Sequence, residues 1–196
     1  MRQGRLKDIL SYIRSSILVL VISAAIEILS GSVLSDIFCT SYFPGLLVLL
    51  PPLMELRGNI SSAFAAKFST GLHLGTIKPN FRNNTKKFKS DIYSFIIILI
   101  VMPIILGIFV WIFCIIFNIP NLGLLYFIII SLLTGLIAGT IMAIISIALS
   151  ILTFKYGLDP DSIVVPILGF SGDIISIITV YFVIKILEII GLGLFI

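Results

Sequence analysis

The chain has 196 residues, 59% of them hydrophobic and only 11% charged. Its mean hydropathy of +1.25 excludes an ordinary soluble domain, in which roughly a quarter of residues are charged. The net charge of +4 comes from a few basic clusters beside apolar runs, which fits contact with anionic lipid headgroups and argues against nucleic acid as a partner. The two cysteines, Cys39 and Cys114, form neither a metal-ligand spacing nor a disulfide framework, so both are read as free thiols.

Residues 1–15 place Leu6, Ile9, Leu10 and Ile13 at helical spacing among Arg2, Arg5, Lys7 and Arg14, the pattern of an amphipathic helix lying in the headgroup region. The first span covers about 16–33. It is apolar apart from Glu27, which is either a carboxylate near the outer interface or one at a pore mouth or between helices. Glu27 also argues against reading this run as a cleaved signal peptide.

A turn without Lys or Arg leads to the second span, 43–69. Its early part is strongly apolar, and its later part, from Ser61 to Ser69, is small and polar enough to pack closely on another helix or to line water. Glu55 and Arg57 are two residues apart and do not share a helix face. Each is therefore expected to have its own partner, Arg57 through an intramembrane ion pair with an acid on another helix.

The connection from Thr70 to Ser90 is basic, with Lys78, Arg82, Lys86, Lys87 and Lys89, and a solvated His73 near its start. The third span, 91–117, is interrupted by Pro103 and Gly107, offers no chemistry and is expected to face lipid. The fourth, 122–154, exceeds what a bilayer core of ~30 Å needs, and its Gly135 and Gly139 permit close helix contact.

The fifth span, 162–193, carries Asp173 near its middle. An ionised carboxylate is costly in hydrocarbon, so an intramembrane Asp is a functional-site hypothesis by default. Pro166, Gly169 and Gly172 precede it and are expected to loosen or break the helix and free carbonyls, since irregular backbone at this depth occurs where protein or water satisfies it. The competing reading is an Asp paired to a buried cation or hydrogen-bonded between helices. Near the end, Lys185 and Glu188 are spaced to pair.

The expectation is an all-α, multi-pass protein of the cell membrane with five transmembrane helices and no separate soluble domain. The distribution of Lys and Arg puts the N-terminus and the 70–90 loop in the cytoplasm and the C-terminus outside. There is no internal repeat, so a symmetric pathway needs a second subunit.

Two patterns are more specific. The first is Pro51-x6-Gly58-Asn59-x5-Ala65-x-Lys67-x-Ser69-Thr70. The second is Asp159-Pro160-Asp161-x-Ile163-x-x-Pro166-x5-Gly172-Asp173. In this order they resemble the membrane domain of the MgtE magnesium channels and, more closely, the related solute carrier 41 family and its archaeal relatives. The resemblance covers about residues 16–193 and includes Glu27.

It implies a five-helix homodimer with the pore between subunits, lined by the second and fifth helices, with Asp173 as the central cation residue. Gly58 and Asn59 stand in the second-helix motif, where the Asn59 amide oxygen would hydrogen-bond a hydrated ion. Two facing Asp173 carboxylates would repel until a divalent cation relieves them. Mg²⁺ keeps most of its water and takes one or two carboxylates, so the transported ion is expected to be largely hydrated Mg²⁺. Carbonyls of Gly169 to Gly172 and Ser176 would assist.

Asp159 and Asp161 are placed at the cytoplasmic mouth, to concentrate cations or to cap the following helix. The chain departs from the pattern in having no preceding magnesium-sensing domains, a single copy of the membrane domain, and Glu55 where a small residue is expected.

Three rivals are weighed. A Na⁺-coupled Mg²⁺ exchanger is indistinguishable by sequence. An intramembrane aspartyl protease needs a second catalytic Asp, and none lies deep in a span, so the chain is not read as an enzyme. A non-transporting scaffold subunit is the third.

Overall fold

Among the described residues, the apolar runs fold into four long helices: α1 (Pro44–His73), α2 (Lys86–Ile116), α3 (Leu124–Lys155) and α4 (Pro160–Ile189). The computed structural model describes residues 44–80, 84–156 and 160–189, apart from the side chains of 160–163, 165, 166 and 170, together with positions 17, 21, 24, 25, 28, 31 and 32. Those single positions are helical and fall within the first predicted span. The predicted headgroup helix at 1–15, Glu27, Cys39, Asp159 and residues 190–196 lie outside the described residues. Among the described residues there is no strand.

Among the described residues, three helices are long and apolar enough to cross a membrane: Lys86–Ile116, Leu124–Lys155 and the Ile167–Ile189 part of α4. α1 is equally long but less apolar, because Glu55, Arg57 and Lys67 interrupt it. α1 and α3 form the central pair. Each packs against the other and against both α2 and α4.

Glycines bring α2 and α3 together. A Cβ on Gly107 would stand 2.9 Å from the Phe127 carbonyl oxygen and 2.9 Å from Ser131 Oγ, and one on Gly135 would stand 2.6 Å from Pro103 Cγ. One on Gly139 would run into the end of Leu99. Ser131 Oγ donates to the Pro103 carbonyl at 2.8 Å, an interhelical bond that the missing glycine side chains make room for. The opposite side of α2 leaves Ile97, Phe109 and Ile116 exposed, the apolar outward face expected of it.

The connections are built rather than slack. α1 ends where Gly75 takes φ +67, and Ile77 folds back so that its N–H donates to the Gly71 carbonyl at 3.0 Å. The Asn84 amide bonds the Lys78 and Asn80 carbonyls at 3.0 and 2.9 Å. Thr85 caps α2 by accepting from the Phe88 N–H at 3.3 Å, so this helix begins five residues before the predicted 91, with the lysines on its first turns. Between α2 and α3, Asn118 adopts φ 52 and the Ile119 N–H donates to the Cys114 carbonyl at 2.8 Å. The Gly45 N–H at the start of α1 donates to the Pro120 carbonyl in that turn at 3.1 Å.

Two expectations are corrected. α4 is continuous through Pro166, Gly169 and Gly172, so the carbonyls of Gly169 to Gly172 are engaged in the helix ladder and are not freed for an ion. A glycine in a helix costs only about 1 kcal/mol, and a proline removes one ladder bond. Away from water, any other backbone conformation would leave more groups unpaired. Asp161 is the second residue of α4, so it stands in the first turn, where a carboxylate suits the helix dipole, and not at the N-cap.

Candidate functional site

Leu53, Arg57, Ser61 and Phe64 form the buried side of α1, which turns the Arg57 guanidinium into the bundle rather than outward. It meets α4 where that helix has no side chain. A Cβ on Gly172 would stand 2.9 Å from Arg57 Cζ. The guanidinium therefore lies on the backbone of α4, and its Nη2 donates to Asp173 Oδ1 at 3.3 Å. Arg57 is paired with an acid on another helix, as expected, and that acid is Asp173.

The pair is asymmetric. Arg57 is 3% exposed and Asp173 23%. Arg57 Nε and Nη1 have no hydrogen-bond partner among the described residues. A void of about 10 Å³ beside Arg57 is otherwise lined by Leu53, Leu56, Ile60, Leu99, Pro103 and Gly135. A buried water needs two to four polar partners, and this lining supplies a guanidinium and otherwise apolar side chains.

Of the other predicted residues, Ser176 is near Asp173 in sequence and 1% exposed, so it sits inside the bundle. Gly169 is exposed, one helical turn before Asp173, and a Cβ there would meet nothing within 4 Å. Gly58 is half-buried with the same open surroundings. Asn59 lies on the exposed side of α1, away from Arg57, and its Nδ2 donates to Glu55 Oε1 at 2.9 Å. Glu55 and Arg57 thus have different partners. Asn59 and Asp173 are not brought together within one chain. The Asp161 side chain is not among those described. Lys185 and Glu188 pair at 2.9 Å.

Sequence reasoning missed a second charged cluster. Asp91, 4% exposed, holds Lys67 at 2.9 Å and Lys87 at 3.2 Å. It joins α1 to α2 at one end of a groove of about 530 Å³, whose lining includes Asn59, Phe64, Ser94, Phe95 and Met102. The available signal was an acid opening an otherwise uncharged span and a lone cation late in the preceding one. Among the described residues no group of three or more His, Cys, Asp or Glu is placed to hold a metal.

No curated protein sequence and no solved structure matches the chain. The family model of MgtE, described as a divalent cation transporter, matches residues 50–184, a stretch that contains Arg57, Asn59, Asp91 and Asp173. With its apolar helices, this makes the chain a membrane protein. It belongs to the MgtE divalent cation transporter family.

Proposed function

We propose that this chain carries Mg²⁺ across the cell membrane as a homodimer, with the cation held at Asp173. The observation that carries the reading is a carboxylate within an apolar helix that is partly exposed while its arginine partner is sealed. The acidic member of the pair is the one a passing ion can reach. Family membership supplies the divalent cation.

In this reading two copies bring two Asp173 carboxylates to one axis, and a divalent ion relieves their repulsion. Mg²⁺ keeps several waters when bound by one or two carboxylates, so the protein has to present oxygens to the hydration shell rather than strip it. The open side of α4 at Gly169 and Asp173 would face the path. Gly58, Asn59 and Glu55, on the less buried side of α1, would meet the ion's water across the dimer rather than within one chain. Gly172 seats Arg57, and Ser176 packs the site from inside. Glu27, Asp159 and Asp161 keep their proposed places at the pore ends, with the N-terminus and the 70–90 loop cytoplasmic by the basic-residue rule.

The test is Mg²⁺ uptake into proteoliposomes by wild type, Asp173→Asn and Asp173→Ala, with dimer content measured in each. Uptake lost in both variants at unchanged dimer content is the expected result. Uptake that survives both moves the site away from Asp173 and toward Glu27 and Glu55.

A further inference from the structure

We infer that Arg57 is a tethered counter-cation of Asp173, which competes with the transported ion for the same carboxylate and so sets how tightly that ion is held. The inference rests on the reading of Asp173 as the cation site.

Three observations support it. First, Arg57 reaches Asp173 through one nitrogen only, Nη2, at 3.3 Å. Charge-assisted N–H to carboxylate bonds are usually ~2.7–2.9 Å, and arginine forms two of them where it grips a carboxylate fully. This contact is long and one-pronged. Second, Nε and Nη1 are buried without partners among the described residues, and the neighbouring void is lined by apolar side chains, so none of the described groups on that side satisfies the guanidinium. Third, Gly172 leaves the seat open, so the planar group rests against α4 immediately beside the carboxylate.

An arginine keeps its proton under all ordinary conditions. Its positive charge is therefore always present at the site. With no ion bound, Arg57 neutralises Asp173. When a divalent ion arrives, the guanidinium either opposes it at short range or gives up the carboxylate. Either way Arg57 weakens ion binding and favours release. A conducting site needs binding strong enough for entry and weak enough for exit, and a permanent competing cation meets the second requirement.

The experiment measures initial Mg²⁺ uptake into proteoliposomes over a range of Mg²⁺ concentrations for the full chain, Arg57→Gln, Arg57→Lys and Asp173→Asn. Arg57→Gln is expected to lower the half-saturating concentration by about tenfold, within the usual range of coupling between sites, and to lower the maximal rate as release slows. Arg57→Lys keeps a charge but not the planar fork, and should shift both in the same direction by less. It carries the test if Arg57→Gln does not fold.

A purely structural Arg57 would reduce the amount of folded protein and leave the half-saturating concentration of the remainder unchanged. That result, or a raised half-saturating concentration in a folded variant, overturns the inference while leaving Asp173 as the site. Uptake that persists in Asp173→Asn overturns the site reading and this inference with it.

Discussion

Arg57 on α1 lies against the backbone of Gly172 on α4, with Asp173 as the next residue. A side chain at position 172 would occupy the seat of the guanidinium. By contrast, Gly169, one turn earlier on the same helix, faces open space. Gly172→Ala is expected to destabilise the protein by about 1–3 kcal/mol through overpacking, partly offset by the better helix propensity of alanine. Gly169→Ala should be neutral or stabilise by up to about 1 kcal/mol. Thermal unfolding in detergent, run on both variants, checks the contrast; equal effects would mean that the guanidinium does not rest on Gly172.

Removing one member of the Arg57–Asp173 pair leaves the other charge without its partner. Breaking a buried ion pair from one side costs ~3–5 kcal/mol, and replacing both sides is often close to neutral. Since Asp173 is partly exposed, a loss nearer the low end is expected for Asp173→Leu. Arg57→Met with Asp173→Leu should recover much of that loss. Unfolding measured for the two single variants and the double variant gives the coupling, and strict additivity would argue against the pair.

Asp91 answers two lysines, so the two ends of that cluster should respond unequally. Lys67→Met or Lys87→Met leaves the carboxylate one cation and should cost less than about 1 kcal/mol each, as for half-exposed pairs. Asp91→Asn removes the shared partner and should cost about 1–3 kcal/mol. Denaturant or thermal midpoints of the three variants check the order. A lysine variant as damaging as Asp91→Asn would contradict shared pairing.

The α2–α3 contact makes a prediction that depends on what the new methyl group meets. At Gly107 it meets main-chain atoms of α3, which cannot step aside; at Gly139 it meets the end of a leucine side chain, which can. Gly107→Ala is expected to cost more than Gly139→Ala. Ser131→Ala loses the bond to the Pro103 carbonyl and should cost ~0.6–1.7 kcal/mol, the range seen for hydrogen bonds between membrane helices. The fraction folded after titration with denaturing detergent ranks the three.

The four described helices were legible because each is a long, mostly apolar run between polar turns. As helices, α1 and α3 lie within a few residues of the runs 43–69 and 122–154, α2 ends one residue before 117, and α4 begins two residues before 162, the start of α2 being the exception. There the lysines read as loop, while the Thr85 cap carries the helix through them. The break near Asp173 was misread, since glycine and proline were given more weight than the need of a membrane-depth backbone to keep its ladder. The charge on Arg57 required an acid, which local reasoning could state. Which acid depends on how α1 and α4 rotate against each other across 116 residues of sequence, and that orientation is a property of packing. The Lys67–Asp91 pair was hidden for the same reason.

The bond from Gly45 to Pro120 fastens one end of α1 to the turn between α2 and α3, and Lys67 with Asp91 fastens it toward the other end. α1 is thus pinned twice to the same hairpin and cannot slide along its own axis without undoing one of the pins. Between them, among the described residues, its charged link to α4 is the contact from Arg57 to Asp173. In a rearrangement of rigid pieces that parts α4 from α1, Asp173 would travel with α4 while Arg57 stayed with the pinned hairpin.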